Sequence, residues 1–143
     1  MLNEADGARS VSLKLPRRGE PVLMRNSGYL IPVIGLDVIG NPVGSEAVFR
    51  WTPEEARLPV TAGEPITPLV AAHVLMHPDG VCRGWSPGVQ VIPFINKVDA
   101  ETDDATAREL AVAILGSSAF PVSRVLWGSV ARGRVAALRR DEL

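Results

Sequence analysis

Cysteine occurs once in these 143 residues, at Cys82, so no disulfide can form within the chain and no Cys/His cluster has structural-zinc spacing. Lysine is nearly as scarce: of fifteen basic residues only Lys14 and Lys97 are lysine, the rest being arginine. The two side chains differ in shape and hydrogen bonding, so a chain that writes its positive charge as arginine has a reason to keep lysine where it does. No apolar run reaches membrane-spanning length, and the polar start Asn3-Glu4-Ala5-Asp6 does not resemble a secretory signal. Both absences point away from a membrane partner and toward the cytoplasm. A formal net charge of −1 leaves no basic excess for nucleic acid. Nor is there a phosphate-binding loop: neither GxxxxGKS nor GxxxxGKT occurs, and neither lysine follows a glycine. That loop supplies backbone N–H groups, a lysine and a magnesium-binding hydroxyl. Triphosphate hydrolysis depends on them electrostatically, so this chain alone is not expected to hydrolyse nucleotide.

What is present fits one globular α/β domain over residues 1–143, with 46% apolar and 22% charged residues. Apolar runs bounded by Gly and Pro read as buried strands at Tyr29–Ile34, Val89–Ile95 and Arg124–Trp127, with Met1-Leu2 as the stub of another. Pro32 and Pro93 remove ladder donors and so argue for bulges or strand edges. Thr67-Pro68 sets an N-cap and N1 pair for a helix closed by His77-Pro78. A second helix begins near Asp103-Asp104 and presents Ala107, Leu110, Ala111, Ile114 and Leu115 as one stripe, stopping at Gly116. A weaker third helix is expected over about Val130 to Arg140. Strand, helix and strand from Val89 to Trp127 form a βαβ unit with neighbouring parallel strands. Residues 40–88 hold seven of the twelve prolines and read as an insertion or cap.

Asn96-Lys97-Val98-Asp99 follows the second strand directly. In that position NKxD reads guanine: a carboxylate can accept from both N1–H and the exocyclic amine, a donor pair adenine lacks. Asp99 would discriminate, Asn96 would tie loops together or contact the base, and the Lys97 stem would lie across its plane. The competing reading is a polar β–α turn. Gly128-Ser129-Val130, after the next strand, could approach the base edge through the Ser129 and Val130 amides. Near the start, Glu4, Asp6 and Gly7 resemble an ExxG switch segment whose carboxylate faces Mg²⁺; an acidic, solvated segment is the alternative. His73 and His77 share a helix face but lack a specified third ligand, and read as exposed or core-edge residues.

In order along the chain, EADGA (Glu4–Ala8), Leu13-Lys14, Pro16, Glu20-Pro21, Gly35-Leu36-Asp37 with Gly40 and Pro42, Ile66-Thr67-Pro68, His77-Pro78-Asp79-Gly80, NKVD and the Gly-Ser loop resemble the YqeC-like family of selenium cofactor biosynthesis proteins. The resemblance spans nearly the whole chain. It implies a mainly parallel sheet related to P-loop NTPases, in which Lys14, Asp37 and Arg50 are further motif positions. It departs from the family in two places. Complete members place a Walker-type loop before EADGA, and a histidine usually precedes the arginine at position 50, where this chain has Phe49.

The resemblance further implies an accessory protein for maturation of selenium-dependent molybdenum hydroxylases, working with GTP or ATP and Mg²⁺ and with the hydroxylase as a candidate partner. No residue pattern independently indicates selenium or molybdopterin. A sheet lacking its first strand and covering helix is expected to expose an apolar face or edge, covered by homodimerisation or a partner protein. Two other readings compete: an interaction protein that has lost nucleotide, and a small hydrolase drawing on Glu4, Asp6, Asp37 and the histidines.

Overall fold

The computed structural model describes residue 4 and residues 11–16, 19–24, 26–46, 60–117 and 119–143, and the backbone of 48–49. Met1-Leu2, Asp6, Gly7 and Arg50 lie outside the described residues. The described strands are β1 (Leu13–Lys14), β2 (Tyr29–Leu30), β3 (Val33–Gly35), β4 (Val48–Phe49), β5 (Gln90–Val91), β6 (Phe94–Asn96), β7 (Arg124–Ser129) and β8 (Arg134–Arg139). The helices are α1 (Pro68–Leu75) and α2 (Asp103–Gly116), with 3-10 turns at Leu36–Val38 and Arg140–Glu142.

The main sheet has the order β3-β6-β7-β8, parallel except for the last pair. Neither Pro32 nor Pro93 bulges it, and Pro93 lies within it, but Pro32 does fall on its outer strand, β3 being first in the order. Tyr29 lies opposite Gln90 and Gly35 opposite Asn96 in one unbroken register, so β2-β3 and β5-β6 are each one strand that a proline interrupts. The reason is that proline loses only its donor. The Pro32 carbonyl still accepts from the Phe94 amide, and the Pro93 carbonyl from Leu126, both at 2.9 Å. On the far side of β3, the Gly35 amide donates to the Ser12 carbonyl at 2.9 Å and joins on β1, which pairs with β4.

The expected third helix is instead β8, a hairpin partner of β7 in register from Arg124–Arg139 to Ser129–Arg134. Its helix-forming composition is overridden by pairing along the β7 edge, and Gly133 in left-handed backbone (φ 63°) makes the turn.

One face of the sheet is the core. Ile34, Val91, Ile95, Val125 and Trp127 are buried there with the α2 stripe of Ala107, Leu110, Ala111, Ile114 and Leu115. Each buried Leu or Ile contributes about 1.5–3 kcal/mol relative to exposure. α1 packs on α2 through Ala71, Ala72, Val74 and Leu75, and its Thr67 hydroxyl caps the Val70 amide at 3.3 Å with Pro68 at N1. Cys82 is fully buried in this core, and that burial pushes its thiol up to about 12. Within residues 40–88, backbone bonds between 40–43 and 63–66 close a narrow neck, and α1 follows it into the core.

The other face is open among the described residues. Tyr29, Ile31 and Val33 alternate outward at 61%, 47% and 54% exposure, against 0% for Ile34. Ile92, Phe94 and Leu126 continue that face, each only partly covered. The strands expected to be buried are therefore half-buried. Among the described residues no helix is long and apolar enough to cross a membrane.

Candidate functional site

The carboxyl ends of β3, β6 and β7 bring together residues far apart in sequence. Lys97, just past β6, has a left-handed backbone at φ 64°, and no other non-glycine among the described residues does. Its ammonium donates to Asp37 Oδ2 at 2.8 Å and to Ser12 Oγ at 2.7 Å. Partial burial pushes the Asp37 carboxyl up, but hydrogen bonds from Lys97 and Ser12 and the Lys97 charge outweigh it, holding the group below the usual carboxylate range. Gly35 permits this convergence: a Cβ there would lie 2.5 Å from both Asp37 Oδ1 and Ser12 Oγ.

The other half of the site joins the loops after β6 and β7. The Val130 amide donates to Asn96 Oδ1 at 3.2 Å, and the Ser129 hydroxyl donates to Asp99 Oδ1 at 2.6 Å. Ser129 is 1% exposed, and its oxygen also accepts from the Arg132 amide at 3.3 Å. Between these bonds the Val98 amide donates to the Gly128 carbonyl at 3.0 Å. Gly128 has no room for a Cβ, which would collide with the Arg134 carbonyl of the returning strand. Arg132 stands 3.9 Å from Asp99 Oδ1, too far for a hydrogen bond. Asp99 Oδ2 and the Asn96 amide nitrogen are left without a protein partner among the described residues.

NKVD, Gly128-Ser129-Val130 and Asp37 therefore meet at one end of the sheet. Lys14 does not join them; it is 7% exposed and pairs with Glu20 at 3.2 Å. Both lysines thus serve specific ion pairs. Glu4 is exposed, and Asp6, Gly7 and Arg50 lie outside the described residues. His73 and His77 have ring centroids 5.8 Å apart, and His77 Nδ1 accepts from the Asp79 amide at 3.1 Å. Among the described residues no group of three or more His, Cys, Asp or Glu could hold a metal ion.

Sequence reasoning missed Ser12, whose contact with Lys97 spans 85 positions; the scarcity of lysine was the available signal. It also missed the bond from Trp127 Nε1 to Asp104 Oδ1 at 2.8 Å. These two residues line an open cleft of about 590 Å³ between the start of α2 and the β7-β8 hairpin. The cleft adjoins the loop pair through Val98 and Gly128, but none of Asn96, Lys97, Asp99, Ser129 or Val130 lines it.

Comparison with known proteins bears on residues within this arrangement. The YqeC protein family model matches residues 1–52, a span that includes Ser12, Lys14, Gly35 and Asp37. Uncharacterized protein YqeC of Escherichia coli (strain K12) is 33% identical over 99 residues, 68% of this chain and 38% of the relative. The chain is YqeC-like. It spans well under half the length of that curated relative. No solved structure matches it.

Proposed function

We propose that the loops after β6 and β7 form a guanine-recognising half-site in an accessory protein for maturation of selenium-dependent molybdenum hydroxylases. One observation carries the nucleotide reading: the Asn96–Val130 and Asp99–Ser129 bonds lock the two loops together while leaving Asp99 Oδ2 and the Asn96 amide nitrogen available. A carboxylate oxygen has two lone pairs, so Oδ1 can hold Ser129 and still share a bidentate contact with guanine N1–H and the exocyclic amine. The hydroxylase role is supported by the shared motif order of the YqeC-like family. For Mg²⁺ and terminal phosphates the described residues supply no matching constellation, so the reading stops at binding.

Calorimetric titration with GDP, ADP and XDP tests it. GDP should bind in preference to ADP. Asp99→Asn should exchange GDP for XDP, because an amide can accept from N1–H and donate to the xanthine carbonyl that replaces the amine. If the wild-type chain binds no guanine nucleotide, the proposal fails.

A second reading, an interaction protein, is favoured by the open apolar face of Tyr29, Ile31 and Val33. Parallel sheets are normally covered on both sides, and a second copy of the chain or a partner protein would cover this one. A dimer by light scattering that Ile31→Glu dissociates would support a second copy; a strict monomer at micromolar concentration would count against it.

A further inference from the structure

A long side chain at φ 64° carries a steric penalty, and Lys97 bears it at a half-exposed surface position. Left-handed backbone turns the lysine back across the end of β6 toward β3 and β1, away from the direction Asp99 takes. Its two acceptors come from different places: Ser12 enters β1, and Asp37 sits in the turn after β3. A surface ion pair between groups this exposed contributes little to stability, which makes stability a poor explanation for the strain. Strained residues of this kind gather at binding sites, where the surroundings over-determine them.

Both ends of the lysine are fixed. The backbone is held by Val98 N–H to the Gly128 carbonyl on one side, and on the other the neighbouring Asn96 is tied down through its side chain to the Val130 amide. The ammonium is held by Asp37 and Ser12. The aliphatic stem between them is therefore set before any ligand arrives, and binding need not order a flexible lysine.

We infer that Ser12 and Asp37 are positioning residues that hold the Lys97 stem as a fixed support for the face of a nucleotide base. This rests on the base-recognition reading above and adds two residues to it that never touch the ligand. Gly35 is the backbone position that lets both acceptors reach the same ammonium.

The experiment titrates GDP into the full chain carrying Asp37→Asn, Ser12→Ala, Lys97→Ala and the Asp37→Asn/Lys97→Ala pair. Asp37→Asn should weaken GDP roughly threefold to tenfold, the cost of ordering one rotamer-rich side chain. It should change nothing once Lys97 is alanine. Because the chain has only two lysines, a ¹⁵N-lysine spectrum isolates the effect. The Lys97 ammonium signal should vanish in Asp37→Asn, while that of buried Lys14 persists and reports an intact fold. Unchanged GDP affinity in Asp37→Asn, or an equal loss in the Lys97→Ala background, overturns the inference. If Asp99→Ala still weakens GDP in that case, base recognition stands without it. A wild-type chain that binds no GDP removes both.

Discussion

Gly35→Ala sets two effects of opposite sign against each other. Gly35 does not have a positive φ, so alanine is compatible with its backbone. By restricting the unfolded chain it would stabilise the protein by about 0.4–1 kcal/mol. Packing opposes this. The new Cβ would lie 2.5 Å from Asp37 Oδ1 and Ser12 Oγ, and 2.7 Å from Ser12 Cβ. The two oxygens can swing aside, at the expense of the Lys97 cluster. Ser12 Cβ cannot move without its backbone, and moving that stretches the 2.9 Å bond from the Gly35 amide to the Ser12 carbonyl. Overpacking of this kind costs about 1–3 kcal/mol, so a net loss of about 1–2 kcal/mol is expected. With a urea dependence of about 2 kcal/mol per molar, the midpoint should fall by about 0.5–1 M. Gly28→Ala is the internal control, because nothing lies within 4 Å of its Cβ position and its φ is not positive; its midpoint should hold or rise. Equal midpoints for the two variants would refute the argument and show that β1 yields without cost.

The Asp37 carboxyl is held below its ordinary value of 3.8, so the folded state binds fewer protons than the unfolded state just below that pH. Its contribution is present above 3.8 and fades as pH falls through the lower folded value, a loss that Asp37→Asn should remove from an acid-unfolding curve. Its size should be small, because the pair is about half exposed to solvent. Asp104→Ala should cost about 0.5–1.5 kcal/mol in urea unfolding followed by tryptophan fluorescence, because it removes the acceptor of the part-buried Trp127 N–H beside the open cleft. The same change made with Trp127→Phe should cost less, since no N–H is left unsatisfied.

The legible parts of the fold were those whose signals are local. The α2 stripe and the Thr67-Pro68 start depend on residues within two turns, and both stand where the periodicity and capping placed them. The parallel pairing of β6 with β7 across α2 followed from the βαβ order. The errors arose where a distant partner decided the outcome. Bulges were expected at Pro32 and Pro93 because a missing donor is visible in sequence, whereas the neighbouring strand that uses the remaining carbonyl is not. Residues 134–139 are rich in helix formers, but the open β7 edge offered six paired positions. Asn96, Asp99, Ser129 and Val130 could be nominated from two short motifs. Ser12 could not, because lysine scarcity marks Lys97 but not its partner, and a serine between Val11 and Leu13 names none until β1 is laid beside β3.

Replacing the expected helix by a hairpin also changes what the loop after β7 can do. A helix there would have presented its first amides to a ligand, as helices at the carboxyl ends of parallel strands commonly do. The hairpin instead turns within four residues and directs those groups inward. Val130 N–H goes to Asn96, Arg132 N–H to the Ser129 oxygen, and the Ser129 hydroxyl to Asp99. The Ser129 hydroxyl and the Val130 amide thereby bond within the protein, so the Val130 amide, one of the two expected to approach a base, braces the Asn96 loop instead. On the guanine reading proposed above, recognition would fall to Asp99, the Asn96 amide nitrogen and the stem of Lys97. Each of these is held by a bond from another loop: Ser129 to Asp99, Val130 to Asn96, and Asp37 with Ser12 to Lys97. If the proposed base recognition holds, its specificity rests on one carboxylate, so exchanging Asp99 for its amide should change which base is preferred while the braced loops stay in place.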